Sequence, residues 1–244
     1  MRDDIGEILA KADELIAGIA GQYAFATRTG ELKGVSKIDV KMTLEQLRSV
    51  LDYLAIDVDT VLYQGQNVAR TGHRIYFPYN ADIKRVESSL KKQYLDLDVQ
   101  SPAIQDLIHS VQSYRQGSDW LNVLCTQTNG HKHSGLTKHE PKSKGHGGLV
   151  VGNNAVLLGP GASATFTDCV FDGVPVGWGA PVTLHGDMSA QYASTIAVGI
   201  PMRRVAAGYV CFLAGTKWDV LDLLTRARHE IGTVSEAILK ELGI

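Results

Sequence analysis

The chain is short of the features that announce a function class. Its 244 residues include three cysteines, Cys125, Cys169 and Cys211, far apart and without a CxxC pair, a usage that fits a reducing compartment rather than a disulfide framework. Each reads as a small buried apolar residue. Charge of one sign is lacking too: 24 lysines and arginines face 26 acids, for a net charge of -2, so any attraction for a polyanion has to come from a local patch. No long apolar run exists. The longest stretch without charge, Gly145 to Thr167, holds six glycines, two asparagines and a proline, whereas a bilayer span needs about twenty mainly apolar residues. HExxH, GxGxxG, a GK[ST] phosphate loop and a GxSxG elbow are all missing, which removes the zincin, dinucleotide, P-loop and α/β-hydrolase readings. The start MRDDIGEI puts acids where a secretory signal needs an apolar region, so the expected setting is cytoplasmic, with no membrane partner.

What is present is a set of helical stripes. Ile5, Ile8, Leu9, Ala12, Leu15, Ile16 and Ile19 follow a 3.6-residue period behind an acidic first turn, predicting a long amphipathic helix. Thr43 and Gln46 have the spacing of a capping box, and Leu44, Leu47, Leu51, Leu54, Ala55, Val58 and Leu62 behind them predict a second buried helix. Asp52, Asp57 and Asp59 lie off that stripe and are expected on a solvated face. A short strand is expected at Val35 to Val40, and an extended segment at Arg74 to Tyr79, because Pro78 biases Phe77 away from the helical region. Ser101-Pro102 is a helix start, and Trp120, Leu121, Leu124 and Cys125 open another helix. Gly147 to Leu213 is rich in Gly, Val, Thr and Ala and predicts short strands at 164–171, 182–185, 196–200 and 205–213. A last helix starts near Thr216 to Asp219, with a stripe from Val220 to Leu242. The expected class is α+β: a predominantly helical bundle with its N- and C-terminal helices packed together, and a β-rich insertion. The division is 1–146 for the bundle, 147–214 for the insertion and 215–244 for the returning helix. Trp120, Trp178 and Trp218 are expected as core anchors.

The chemistry-bearing side chains gather between Arg115 and His146, with four of the eight histidines. If the helix from Trp120 runs on, Asn129, Lys132 and His133 share one face, and an imidazole beside an ammonium has a lowered pKa, suited to a neutral base. Alternatively Asn129-Gly130 ends the helix and leaves these residues in a loop. A second reading takes His131, His133, His139 and His146 as zinc ligands, with Cys125 or Glu140 in support, although no named spacing fits. A third is electrostatic: Lys132, Lys138, Lys142 and Lys144 against Glu140 give a local charge of about +3, able to contact RNA phosphates.

Four pieces carry a resemblance: LRSVLDYLA (Leu47 to Ala55), RIYFP (Arg74 to Pro78), IHSVQSY (Ile108 to Tyr114) and DWLNVLCTQTNGHKHSGL (Asp119 to Leu136). Their order is similar to that in a group of uncharacterised bacterial helical proteins with an "LDxLA...FP...NxxKH" pattern, and covers about a third of the chain. More remotely the group resembles the HEPN superfamily, all-helical domains whose active members are metal-independent ribonucleases with an Arg-Asn-x-x-x-His motif at a dimer interface. The resemblance places Asn129 and His133 on that motif, but Thr128 stands where the arginine belongs, and a threonine cannot hold a phosphate or stabilise developing charge. It implies a homo-oligomer without a cofactor; the favoured expectation is a non-catalytic module in which the bundle supplies stability and the β-rich insertion a surface for a protein partner. The alternative is an RNA-binding or RNA-cleaving protein in which His133 is the acid or base, Asn129 orients and Lys132 neutralises charge.

Overall fold

The computed structural model describes residues 2–29, 34–67, 75–134, 139–143, 146–152, 155–171, 173–206 and 208–244; of residues 29, 131–134, 143, 146 and 205–206 it describes the backbone alone. The described residues contain nine α-helices and nine strands, a mainly helical α+β fold. They divide into two compact units, one of residues 1–20, 36–139 and 212–244, the other of residues 21–35 and 140–211. No helix among them is long and apolar enough to cross a membrane.

The helical unit is built on α1 (Asp3–Thr29, as far as Ala20), α2 (Lys37–Tyr63) and the C-terminal helix α9 (Val220–Leu242). Helix α9 packs mainly on α2. Its stripe of Leu223, Leu224, Ala227, Ile231, Val234 and Ile238 is buried, as the 3.6-residue period requires. Each such Leu or Ile removed from water contributes roughly 1.5–3 kcal/mol before the entropy of ordering it is set against this. The first and last helices are also tied through charge: Arg228 donates twice to the Asp13 carboxylate, both at 2.8 Å, the planar fork that suits guanidinium to carboxylate.

Between these helices lie α3 (Ile83–Gln93), α4 (Leu97–Gln100), α5 (Pro102–Ser110), α6 (Ser113–Gln116) and α7 (Trp120–Ser134). Helix α5 starts where the sequence predicts: the Ser101 hydroxyl accepts from the Ile104 amide at 3.3 Å, with proline in the first turn. Helix α7 begins on Trp120, which is fully buried, and runs through Gly130 to Ser134 rather than stopping at Asn129-Gly130.

Several local expectations are corrected. Residues 37–40 are helix, not strand, because α2 is capped earlier than the sequence suggested: the Ser36 hydroxyl accepts from the Asp39 amide at 3.2 Å. Thr43 is then inside the helix, where its hydroxyl donates back to the Asp39 carbonyl, a common fate for a mid-helix threonine. Asp57 and Asp59 are buried, not solvated. Asp57 receives the Arg2 guanidinium, and Asp59 accepts from the Asn67 amide at 3.2 Å; tertiary pairing has overridden the reading from their place off the stripe. Helix α9 is capped by Asp219, which accepts from the Leu221 and Asp222 amides.

The β-rich unit holds β1 (His139–Ser143), β2 (His146–Val151), β3 (Val156–Leu158), β4 (Ser163–Phe166), β5 (Val170–Phe171), β6 (Val174–Pro175), β7 (Val182–His185), β8 (Met202–Ala206) and β9 (Tyr209–Leu213). The strands pair as a three-stranded sheet, β3-β2-β8, and three two-stranded ones, β1-β9, β4-β7 and β5-β6. In β7 the alternation is regular: Val182 and Leu184 are buried, Thr183 and His185 exposed, the period of two that a strand with one covered face imposes. The stretch 196–200 is not a strand. It follows helix α8 (Ala190–Ile196), which Ser189 caps by accepting from the Tyr192 amide, and its Ala197 and Ile200 enter the same core as Leu149, Val151 and Leu184. Two glycines are demanded by close backbone approach. A Cβ on Gly148 would lie 2.1 Å from the Leu158 carbonyl oxygen, and one on Gly186 would lie 1.8 Å from that of Gly159.

Candidate functional site

The four sequence pieces that carry the resemblance meet in the helical unit. Helix α2 contributes Arg48 and Asp52, one turn apart and therefore on one face, in an ion pair at 3.1 Å with side-chain exposures of 12% and 20%. The Arg48 guanidinium also donates to the Cys125 sulfur of α7 and lies over the Tyr79 ring, 5.0 Å from its centroid, within cation–π range. The extended segment 75–80 is fixed from two sides. The Phe77 amide donates to the Asp52 carboxylate at 3.3 Å. The fully buried Gln112 donates through Nε2 to the Pro78 carbonyl at 2.9 Å and accepts the Asn80 amide at 3.3 Å. That anchoring sets Tyr79, whose hydroxyl accepts a hydrogen bond from the Asn129 amide nitrogen at 2.8 Å.

The electrostatics follow from burial. The Cys125 thiol is pushed up to about 12 by loss of water, against the pull of Arg48, so at neutral pH it is an uncharged thiol and no nucleophile. Burial works against the charge on Arg48, but its partners, Asp52 among them, outweigh that and raise its pKa. With Cys125 protonated, Asp52 is the group that neutralises this cation. Burial likewise lifts the Tyr79 phenol, which is therefore a neutral hydrogen-bonding group. The inner part of the cluster holds three chain segments together; Asn129, which is exposed, forms its outer edge.

Of the residues singled out from sequence, Asn129 takes part in this cluster. Lys132 and His133 lie on the same face of α7 by helical spacing, since the helix continues past them, and their side chains fall outside the described residues, as do those of His131 and His146. His139 begins β1 and His146 begins β2. Among the described residues no group of three or more histidine, cysteine or acidic side chains could hold a metal ion. Cys125 is turned to Arg48, and the exposed Glu140 faces Lys142 at 3.8 Å. Thr128 is buried and donates to the Leu124 and Cys125 carbonyls of its own helix.

Arg48, Asp52 and Tyr79 were not singled out as site residues from sequence. One signal was present: an arginine and an aspartate four apart, each directly following a leucine, Leu47 and Leu51, of a buried stripe. Outside the helical unit, Trp178 is not a core anchor but 76% exposed, between glycines at positive φ and itself at φ 49°.

Compared with known proteins, the chain matches no family model, no curated protein and no solved structure.

Proposed function

We propose that the chain is a non-catalytic binding module, in which the helical unit supplies stability and the β-rich unit a surface for a protein partner. The observation that carries this is the state of Arg48. Its guanidinium, which lies over the Tyr79 ring whose hydroxyl Asn129 hydrogen-bonds, is already bound to Asp52 and Cys125 as well, and a cation so engaged is not available to stabilise charge developing on a substrate. A bulky residue at positive φ is a costly conformation, and in the β-rich unit it presents the ring of Trp178, the residue type most enriched at binding hot spots.

A second reading is favoured by the course of α7. Because the helix runs on through Gly130, Asn129, Lys132 and His133 share one face, the arrangement that an RNA-binding or metal-independent RNA-cleaving role requires. Incubating the purified protein with RNA in EDTA separates the two. Intact RNA after prolonged incubation is the expected result; cleavage that disappears in His133→Ala would replace the first reading with the second. Self-association belongs to the first reading as well, and sedimentation velocity of the wild type beside Trp178→Ser tests it: an oligomer that dissociates in the variant locates the surface at Trp178.

A further inference from the structure

From Gly145 to Met202 the chain has no lysine or arginine, and its acids there are Asp168, Asp172 and Asp187. Asp187 accepts from the Gly161 amide at 2.8 Å. Asp168 is exposed, and among the described residues nothing pairs with its carboxylate. The described cations of the same unit are engaged elsewhere. Arg204 donates to the Gly186 and Met188 carbonyls, Arg203 donates to that of Arg28, Arg28 lies over the Phe25 ring, and Lys142 faces Glu140. The β5-β6 hairpin pairs Val170 with Pro175, and the Val176 amide donates to the Cys169 carbonyl at 2.8 Å. Asp168 and the turn Gly177-Trp178-Gly179 therefore stand at the same end of this hairpin. The turn is fixed against β7: Val176 is buried, a Cβ on Gly177 would lie 2.5 Å from Val182 Cγ2, and the Ala180 amide donates to the Gly177 carbonyl at 3.0 Å. Trp178 is thus held outward, exposed, with no ring contact among the described residues.

We propose that this end of the β5-β6 hairpin docks a basic segment of a protein partner, with an arginine side chain stacked on Trp178 and paired with Asp168. The inference rests on the reading of the β-rich unit as a partner surface and gives that partner its chemistry. An indole face attracts a cation, and the guanidinium, planar and weakly hydrated, stacks on it better than an ammonium does. The carboxylate beside the ring adds an ion pair, and no cation of the stretch from Gly145 to Met202 competes for either group. Val170 and Val198 are exposed on and beside the hairpin, Val198 next to Gly199, where a Cβ would lie 3.2 Å from Val174; they offer apolar surface to the aliphatic stem of the arginine. A ring already held in place loses little freedom when the partner binds. The same carboxylate repels phosphate, which argues against nucleic acid or an anionic bilayer as the occupant.

The test is two-dimensional NMR of the isotope-labelled full chain, following the Trp178 indole and the Gly179 amide. The probe is an acetylated and amidated pentapeptide, Ala-Arg-Val-Arg-Ala, beside the same peptide with neutral citrulline in place of arginine. A saturable shift of the indole by the arginine peptide alone is expected. Asp168→Asn keeps a residue that tolerates the left-handed backbone and should weaken binding about threefold at low salt, a difference that vanishes at about 0.5 M salt. Trp178→Leu, read at the Gly179 amide, should weaken it by about the same factor or more. The unperturbed spectrum of each variant establishes that it is folded. No saturable shift at about 5 mM peptide, equal affinity for the citrulline peptide, or undiminished binding by Asp168→Asn would each overturn the proposal. An oligomer that dissociates in Trp178→Ser while the arginine peptide fails to bind would also refute the basic partner, yet leave the docking surface of the β-rich unit standing.

Discussion

Arg48 and Cys125 are 77 residues apart in the chain and meet where α2 packs on α7, the guanidinium donating to the sulfur. The same guanidinium neutralises Asp52 and underlies the Tyr79 ring. One side chain thus fastens two helices and an extended segment.

Replacing Arg48 by Met removes the cation and leaves the Asp52 carboxylate largely buried without its charge partner. The expected loss is about 3 kcal/mol of stability, read as a lower urea midpoint at unchanged slope. Arg48→Lys restores the charge but not the planar fork, and recovers less than half of it.

Cys125 and Cys211 are fully buried, Cys169 half-buried, and burial holds the Cys125 thiol up to about 12. At pH 8 a maleimide should label Cys169 well before the other two, and peptide mapping by mass spectrometry locates the label. Early modification of Cys125 would mean that α2 and α7 separate readily.

His109 is buried and its Nδ1 meets the Tyr114 hydroxyl. Burial lowers its pKa, with Arg115 acting in the same sense and Glu87 and Asp106 against it. A histidine whose folded pKa is depressed favours folding above its unfolded value of about 6.5, and this stability is lost as pH falls through the folded value. Denaturation at pH 7.5 and pH 5 should show the loss in the wild type, and His109→Gln should lose less over the same interval.

Gly186→Ala forces a methyl group to within 1.8 Å of the Gly159 carbonyl oxygen. The strand pairing around it has to yield, at an expected loss above about 4 kcal/mol. Gly161→Ala meets open space and suffers only from its φ of +73°, a loss of about 1–2 kcal/mol. Thermal unfolding of the two variants should therefore differ by several degrees; equal effects would refute the close approach.

The Asn129 to Tyr79 bond lies at the edge of the cluster, half in water. A double-mutant cycle with Asn129→Ala and Tyr79→Phe should give a coupling of about 0.5–1 kcal/mol. A value near zero would detach Asn129 from the cluster.

Much of the helical framework was legible because a 3.6-residue stripe and a cap are local properties. Ser101-Pro102 and Val220 to Leu242 show this. Where the sequence points to Thr43 as the cap of α2 and to a strand at 35–40, the residues from Lys37 on form helix, because Ser36 caps it and α2 buries Val40 as well as Leu44. Trp178 read as a core residue because its neighbours are apolar, but a side chain's exposure depends on the turn that carries it, and glycines on both sides leave that turn open.

By itself the sequence determined the helical stripes, the helix start at Ser101-Pro102, the start of the last helix near Thr216 to Asp219, and a strand at 182–185. Only the tertiary structure decided that Asp57 and Asp59 are buried and that Arg48, Asp52, Tyr79, Cys125 and Asn129 form one cluster. The physical reason is that periodicity states which face of an element is apolar, whereas burial and pairing of a polar group depend on which other element covers it, and that partner is set by packing between segments distant in the chain.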